Sequence, residues 1–459
     1  MTPAIRCTAM AVAPFLLSAC ASVGIDDALQ DANTRARPFT EGRLELGRTQ
    51  DQRERRSALT QALLSGPLSQ NDAVQVALAN SPAVQALIAE HWAALAAADQ
   101  SGRMPNPIFK FERLRIDSEL ELGRLLSFGL VDLILLPQRL EISRSRSSEA
   151  RMQLTGAVVE QVTQVRQAWV RAVAAQQALR YAEQVQRSAQ ASAELARRMQ
   201  QVGNFSKLQR ARQQVFYADA TTQLAAAMHA ATAAREELVR ALGLDDAQAA
   251  RLSLPERLPD LPKAPRDPAD VAATANQQRL DVQLARARLE VAAKSQGINL
   301  LSTFTEAAIG GRHDTVFDDA QGTQSTRRGW ELDIRLPLFD WGTAQRDGLD
   351  AQSLAAANRY DATVRGASSQ LRESYSGYRT AYDIAKHYRD EVVPLRRAIA
   401  DENLLRYNGM LIGVFELLAE ARDQVASVTG AIQAEQQFWL ADAALAASVI
   451  GKPTPPSIP

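Results

Sequence analysis

Apolar residues recur at steps of three and four through several long stretches of the chain, the period of helices that bury one narrow stripe. A first stretch, about residues 70–101, carries Val84, Leu87, His91, Ala94 and Ala98 on one face. A second, about residues 143–201, steps through Val158, Val162, Val165, Trp169, Ala172, Gln176 and Leu179, and the last helix through Leu411, Val414, Leu418, Ala421, Val425, Val428 and Ile432. Sustained stepping of this kind is a coiled-coil seam. At 1.5 Å per residue the second helix would be on the order of 90 Å long, far beyond a globular helix. Helices so long and so narrowly striped need partners.

The period changes to two between the helices. Trp330, Leu332, Ile334, Leu336 and Leu338 alternate with Glu331, Asp333, Arg335 and Pro337, the pattern of a strand with one apolar face. In an outer membrane the same pattern is a barrel strand, apolar toward lipid and polar toward a lumen, with Trp330, Phe339 and Trp341 at the interface. Its expected partner is 302–309, across a polar loop over 310–329. The equivalent pair in the first half is 108–116 and 124–136. Four strands are too few to close a barrel, so closure requires several chains.

The chain reads as a tandem duplication. Asn71-Asp72-Ala73-Val74 corresponds to Pro268-Ala269-Asp270-Val271, and Leu136-Pro137 to Leu336-Pro337. Gly203 and Gly409 each interrupt the helix that follows. Both halves end on a small-residue and apolar run closed by glycine, Gly243 and Gly451. Between them Pro255, Pro259, Pro262, Pro265 and Pro268 make an extended connector. The expected divisions are a signal peptide over 1–19, an N-terminal segment over 20–68, a first repeat over 69–243, the connector over 244–268, a second repeat over 269–451 and a tail over 452–459.

Composition narrows the function. Among 459 residues, 52 Lys and Arg balance 52 Asp and Glu, which removes any electrostatic case for a nucleic-acid partner. Four scattered histidines and two cysteines draw no metal site and no disulfide framework. No Gly-x-Ser-x-Gly, phosphate-binding loop or dinucleotide-binding fingerprint occurs, so no catalytic residues and no cofactor are expected. His91 reads as a packing histidine and His387 as an exposed one.

The amino terminus holds Arg6 and an apolar run from Ala9 to Leu17, too short to span a bilayer, which reads as a removable signal peptide. It closes on Leu17-Ser18-Ala19-Cys20, which resembles a bacterial lipobox. That resemblance implies cleavage between Ala19 and Cys20 and a covalent lipid on Cys20. Ala21, where an aspartate would favour the inner membrane, implies sorting to the outer one.

With these features in place, the chain from about Leu68 to Gly451 resembles the TolC family of outer-membrane efflux proteins. The resemblance rests on the duplication and on Ala77-Leu78-Ala79-Asn80-Ser81-Pro82, Met104-Pro105, Leu336-Pro337-Leu338-Phe339-Asp340-Trp341-Gly342, and the glycines Gly203 and Gly409. Two departures stand out. Tyr407-Asn408-Gly409 is one residue shorter than the Tyr-x-x-Gly of many family members, and Pro137-Gln138-Arg139 replaces the Phe-Asp-x-Gly that the second half keeps.

The resemblance implies a mainly α fold with a small β part: duplicated coiled-coil hairpins and two β-hairpins per chain. It implies a homotrimer with a 12-stranded outer-membrane β-barrel and a periplasmic α-barrel belted by the terminal segments and connector. The implied function is the passive exit duct of a tripartite efflux system, working with a periplasmic adaptor and an inner-membrane transporter and passing small toxic compounds or metal ions. A type I secretion channel and a non-channel periplasmic scaffold lipoprotein are the alternatives. By the same resemblance Glu416, with Glu420 and Asp423, would line the periplasmic gate, and Tyr407 and Arg406 would hold it closed. Gly203, Asn204, Ser206, Gly409 and Gly413 would form the turns that meet the adaptor.

Overall fold

A computed structural model describes residues 24–302, 307–336, 338–339 and 341–453. Ala19 and Cys20, the expected cleavage and lipidation site, lie outside the described residues. The described chain is mostly helical with one antiparallel four-stranded sheet. It divides into two compact units, one of residues 24–28, 90–153 and 282–364, the other of 29–89, 154–281 and 365–453.

The first unit holds the sheet. After α4 (Pro82–Ser101) come β1 (Ile108–Ile116), β2 (Glu119–Gly129) and α5 (Leu130–Gln201); after α9 (Leu280–Ser302) come β3 (Ala307–Asp318), β4 (Thr323–Ile334) and α10 (Thr343–His387). The strands lie in the order β1-β2-β3-β4, every neighbour antiparallel. Both hairpin turns fall at one end of the sheet, tied by the Asp319 N–H donating to the Ser118 carbonyl at 2.8 Å and by an Arg115–Asp319 ion pair at 3.0 Å.

The strands differ from the expected ones in three places. The span 310–329, expected as a polar loop, is most of β3 and β4, turning only over 319–322. Its polarity reflects what each strand face meets rather than absence of pairing, since Arg312, Asp314, Glu331 and Arg327 share one charged face. Ser302 ends a helix instead of starting a strand. The second strand of the first half is Glu119–Gly129, not 124–136; Leu130 to Leu136 are the first turns of α5, which runs through Pro137 with Arg139 paired to Asp132 at 2.6 Å. Leu136 therefore lies inside a helix, whereas its expected counterpart Leu336 lies past the end of β4 in no regular element, and Pro337 lies outside the described residues.

The second unit is helical. It contains α2 (Gln50–Leu63), α3 (Gln70–Asn80), the rest of α5, α6 (Lys207–Leu242), α7 (Asp246–Arg251), α8 (Pro268–Gln278), the end of α10, a π-helical turn over Tyr388–Val392, α11 (Val393–Asn408) and α12 (Val414–Ile450). Most of α1 (Ile25–Thr40) also belongs to it. The expected helix over 70–101 is broken at Ser81, which takes an extended ψ of 121° before Pro82, because a residue preceding proline is pushed out of the helical region. Beyond the break the buried stripe is Val84, Ile88, Leu95 and Ala98, with Leu87 and His91 half-buried and Ala94 exposed. Burial lowers the pKa of His91, as packing among apolar groups demands.

Arg279 repeats the geometry of Ser81, with ψ 108° between α8 and α9. A left-handed glycine caps a later helix in each half, Gly243 at φ +66° and Gly451 at φ +89°. A Cβ on Gly243 would lie 2.6 Å from the Ser81 Cα, and one on Gly451 would lie 2.4 Å from an Asp281 carboxylate oxygen. Each glycine thus closes its half against the same kind of kink.

The π turn has a local cause. Pro394 offers no N–H and its ring would strike the carbonyl one turn earlier, so a wider turn lets the helix continue. Tyr388 in that turn lies over Gly430, where a Cβ would come within 2.8 Å of its hydroxyl.

Beyond α7 the proline-rich connector forms no helix or strand before α8, so its carbonyls need other donors. Tyr382 donates to Pro262 at 3.1 Å, Tyr375 to Arg266 at 2.9 Å and Trp439 Nε1 to Pro259 at 3.1 Å. Tyr378, Tyr382 and Phe438 pack beneath them with ring centroids 5.6 to 5.7 Å apart. The N-terminal segment is held likewise: Trp169 Nε1 donates to Leu68 at 2.8 Å, and Arg166 donates to Phe39 at 2.6 Å while stacking on its ring.

Candidate functional site

Two sets of side chains stand out, one in each unit. The first is the sheet, whose two faces differ. On one face Arg312 reaches Asp314 at 2.8 Å, Glu112 at 3.3 Å and Glu331 at 3.5 Å, joining β1, β3 and β4. Lys110 pairs with Glu112 at 2.6 Å, and Arg327 stands 4.0 Å from Glu121 on the same face. On the other face Phe109, Leu126, Phe128, Ile309, Trp330 and Leu332 are all exposed, Trp330 at 75%. Edge strand β1 departs from the division, since Ile108, Leu114 and Ile116 fall on the charged face. An apolar patch of this extent marks a surface meant for lipid or protein.

The second set surrounds the two helical turns. Gly203, at φ +82° with nothing within 4 Å of an added Cβ, ends α5, and the Asn204 N–H reaches back to the Met199 carbonyl at 2.8 Å. Ser206 caps α6 in a reciprocal box with Gln209, its hydroxyl accepting from the Gln209 N–H at 3.2 Å while its own N–H donates to the Gln209 side chain at 2.7 Å. In the second turn the left-handed residue is Met410 at φ +61°, while Gly409 takes φ −78°. Gly413 stands at the N-cap of α12 without a side-chain cap, and exposed Glu416 occupies the first turn, where a carboxylate complements the helix dipole. Both turns present apolar side chains to solvent, Val202 and Leu208 in one, Met410 at 93% and Leu411 in the other.

Of the expected gate residues, Glu420 and Asp423 converge on Arg396 of α11 at 3.4 and 3.3 Å. Arg406 contributes a backbone carbonyl to the Leu411 N–H at 2.8 Å, and Tyr407 is exposed at the end of α11. Neither Arg396 nor the role of Arg422 was drawn from the sequence. Arg422 stacks 4.6 Å over Phe216 and donates to the Gln213 side chain at 3.1 Å and the Arg212 carbonyl at 3.2 Å, fastening α12 to α6. Its partners lie 209 and 210 positions away, a separation no local pattern reveals. Near the first turn, Arg197 and Arg198 hold the Glu194 carboxyl down at about 2.

Among the described residues no group of three or more His, Cys, Asp or Glu is placed to hold a metal ion, and no helix is long and apolar enough to cross a membrane. The arrangement therefore consists of an amphipathic sheet and two helical hairpins with apolar tips.

No protein-family model and no curated protein matches the chain. Solved structures do. The outer-membrane channel OprN is 20% identical, with 83% of this chain and 90% of that one covered at a TM-score of 0.68. The chain has the fold of the TolC-family outer-membrane channels. The same channel fold is seen in the outer-membrane protein VceC of Vibrio cholerae, 15% identical over 84% of this chain and 96% of that one, with a TM-score of 0.68. The Campylobacter jejuni CmeC outer-membrane channel is 14% identical over 83% and 86%, with a TM-score of 0.70.

Proposed function

We propose that the chain is one protomer of a TolC-family homotrimer that forms the passive outer-membrane exit duct of a tripartite efflux system, without catalysis and without a cofactor. The observation that carries this reading is the sheet: four antiparallel strands with one exposed apolar face, one charged face and a free ladder edge at each side. Three copies joined edge to edge would supply twelve strands and leave no edge. The charged face, with Arg312 at its centre, would then line the aqueous path.

The helical hairpins are the part assigned to the periplasm. Their tips, with Val202, Leu208, Met410 and Leu411 exposed around Gly203, Asn204, Ser206, Gly409 and Gly413, suit docking against the helical hairpins of an adaptor. Glu416 of three copies would ring the entrance, and the Arg396–Glu420–Asp423 and Arg422–Gln213 contacts would hold the closed packing until the adaptor favours another. Export energy would come from an inner-membrane transporter. A lipid on Cys20 would add an anchor to the outer membrane, and small toxic compounds or metal ions are the proposed cargo.

The test is assembly and conduction by the full chain. Purified in detergent, it is expected to run as a heat-modifiable species of three times the monomer mass and to form discrete pores in a planar bilayer. A monomer that never conducts would sink the duct and favour a periplasmic scaffold. A deletion strain screened against metals and hydrophobic drugs, with intracellular accumulation as readout, would name the cargo. Rescue by the intact gene but not by Cys20→Ala would establish the need for the anchor.

A further inference from the structure

The apolar face of the sheet changes character over two rows of its ladder. Nearest the helices stand Phe128, Ile309 and Leu332, followed by Phe109, Leu126, Gly311 and Trp330. The next row, toward the hairpin turns, reads Phe111, Arg124, His313 and Arg328, and Arg113 lies one row beyond. Among the described residues Arg113, Arg124 and Arg328 enter no ion pair, whereas Arg312 and Arg327 on the opposite face and Arg115 at the turns all do.

Resting on the duct reading above, we propose that this basic row binds the phosphates of a phosphorylated glycolipid in the outer leaflet of the outer membrane. An arginine facing hydrocarbon at the bilayer midplane costs about 2–4 kcal/mol, falling to about 0–1 near the interface. Three unpaired arginines on the lipid-facing side therefore mark the headgroup level, and exposed Trp330 on the adjoining row fits the aromatic girdle just below it. Their place toward the hairpin turns, away from the helices, puts that level at the outer leaflet.

Spacing and charge specify the headgroup. Arg124 and Arg328 flank β3, which separates them by about 10 Å at normal strand spacing. Arg113 lies diagonally across from Arg124 at about 7–8 Å. Like charges held this close on rigid strands repel unless an anion lies among them. Guanidinium forks match phosphate oxygens two at a time, which an ammonium would not. A ligand carrying two phosphates on a sugar core spans the row, while its acyl chains lie along Leu126, Trp330, Ile309 and Leu332. A free phosphate would leave that apolar track uncovered, so the amphiphile is the occupant the surface fits.

Native mass spectrometry of the detergent-purified full chain tests this, with diphosphoryl lipid A or its fully dephosphorylated form added and bound lipid counted. The unaltered chain is expected to retain the diphosphoryl form preferentially. The triple variant Arg113→Gln, Arg124→Gln, Arg328→Gln is expected to lose at least about tenfold in affinity, and Arg327→Gln, on the opposite face of β4, to lose none. Equal retention of the two lipids by the unaltered chain, which needs no variant to fold, overturns the proposal, as does an equal loss in Arg327→Gln. Either result with trimer and conductance intact leaves the duct standing. An unaltered chain that neither trimerises nor conducts overturns the duct and the lipid site together.

Discussion

At the scale of single residues, Gly243 and Gly203 both adopt positive φ but answer different demands. Gly203 needs only the left-handed conformation, so Gly203→Ala is expected to cost about 1 kcal/mol. Gly243 also lies against the Ser81 backbone, which cannot step aside as a flexible side chain would. Gly243→Ala is expected to cost about 3 kcal/mol or more, read as the larger drop in melting temperature of the two variants. Both glycines were legible in the sequence as helix punctuation. That the second turn places Met410, and not Gly409, in the left-handed region was not, because neighbouring residues share the reversal and sequence cannot say which one carries the strained dihedral.

At the scale of elements, long-range ion pairs and buried acids set the predictions. Removing Arg396 leaves Glu420 and Asp423 without their partner across α11 and α12. A partly exposed pair of this kind is worth about 1 kcal/mol, which on the proposed gating role is a roughly fivefold shift between closed and open packings. Arg396→Ala is expected to raise the open fraction in bilayer recordings by about that factor. Burial raises the pKa of Glu435, and that of Asp442 despite its partner Arg266 at 2.8 Å. A carboxyl raised on folding adds stability that is complete below its unfolded pKa and is lost as pH rises through the folded one. Glu435→Gln is therefore expected to raise the melting temperature at pH 7, leave it unchanged at pH 4 and flatten the slope between. Periodicity made the helices legible, and Val158, Val162, Val165, Trp169 and Ala172 stand buried as their stripe demands. It did not show the π turn, although Pro394 marks the spot, since proline alone does not distinguish a break from a widened turn. Nor did it show the tyrosine and tryptophan donors that hold the connector, whose partners are carbonyls more than a hundred positions away.

At the scale of the molecule, the two faces of the sheet predict opposite tolerance. Leu332→Arg on the apolar face is expected to lower trimer stability by about 2 kcal/mol. Neighbouring Glu331→Gln, on the charged face, is expected to leave the trimer intact and alter its cation preference, measured as reversal potential in asymmetric salt. The apolar strands around Trp330 were readable by alternation, but their extension through 310–329 was not. A strand with charged or polar residues on both faces has no apolar period to detect, and it is recognised only by the register it keeps with its neighbours. The same blindness concealed the row Arg124, His313, Arg328, whose members are scattered over more than two hundred positions and become neighbours through pairing alone.

Among the described residues, the outer ladders of β1 and β4 have no partner within the chain. Such an edge can pair with any strand it meets. On the trimeric duct reading, a lone copy stays sticky until its siblings arrive, so the yield of trimer would depend on the rate at which copies meet relative to the rate at which they clump. Overproduction would then favour clumping, and the proposed duct would be a kinetic product, its yield raised by anything that shields both edges before assembly.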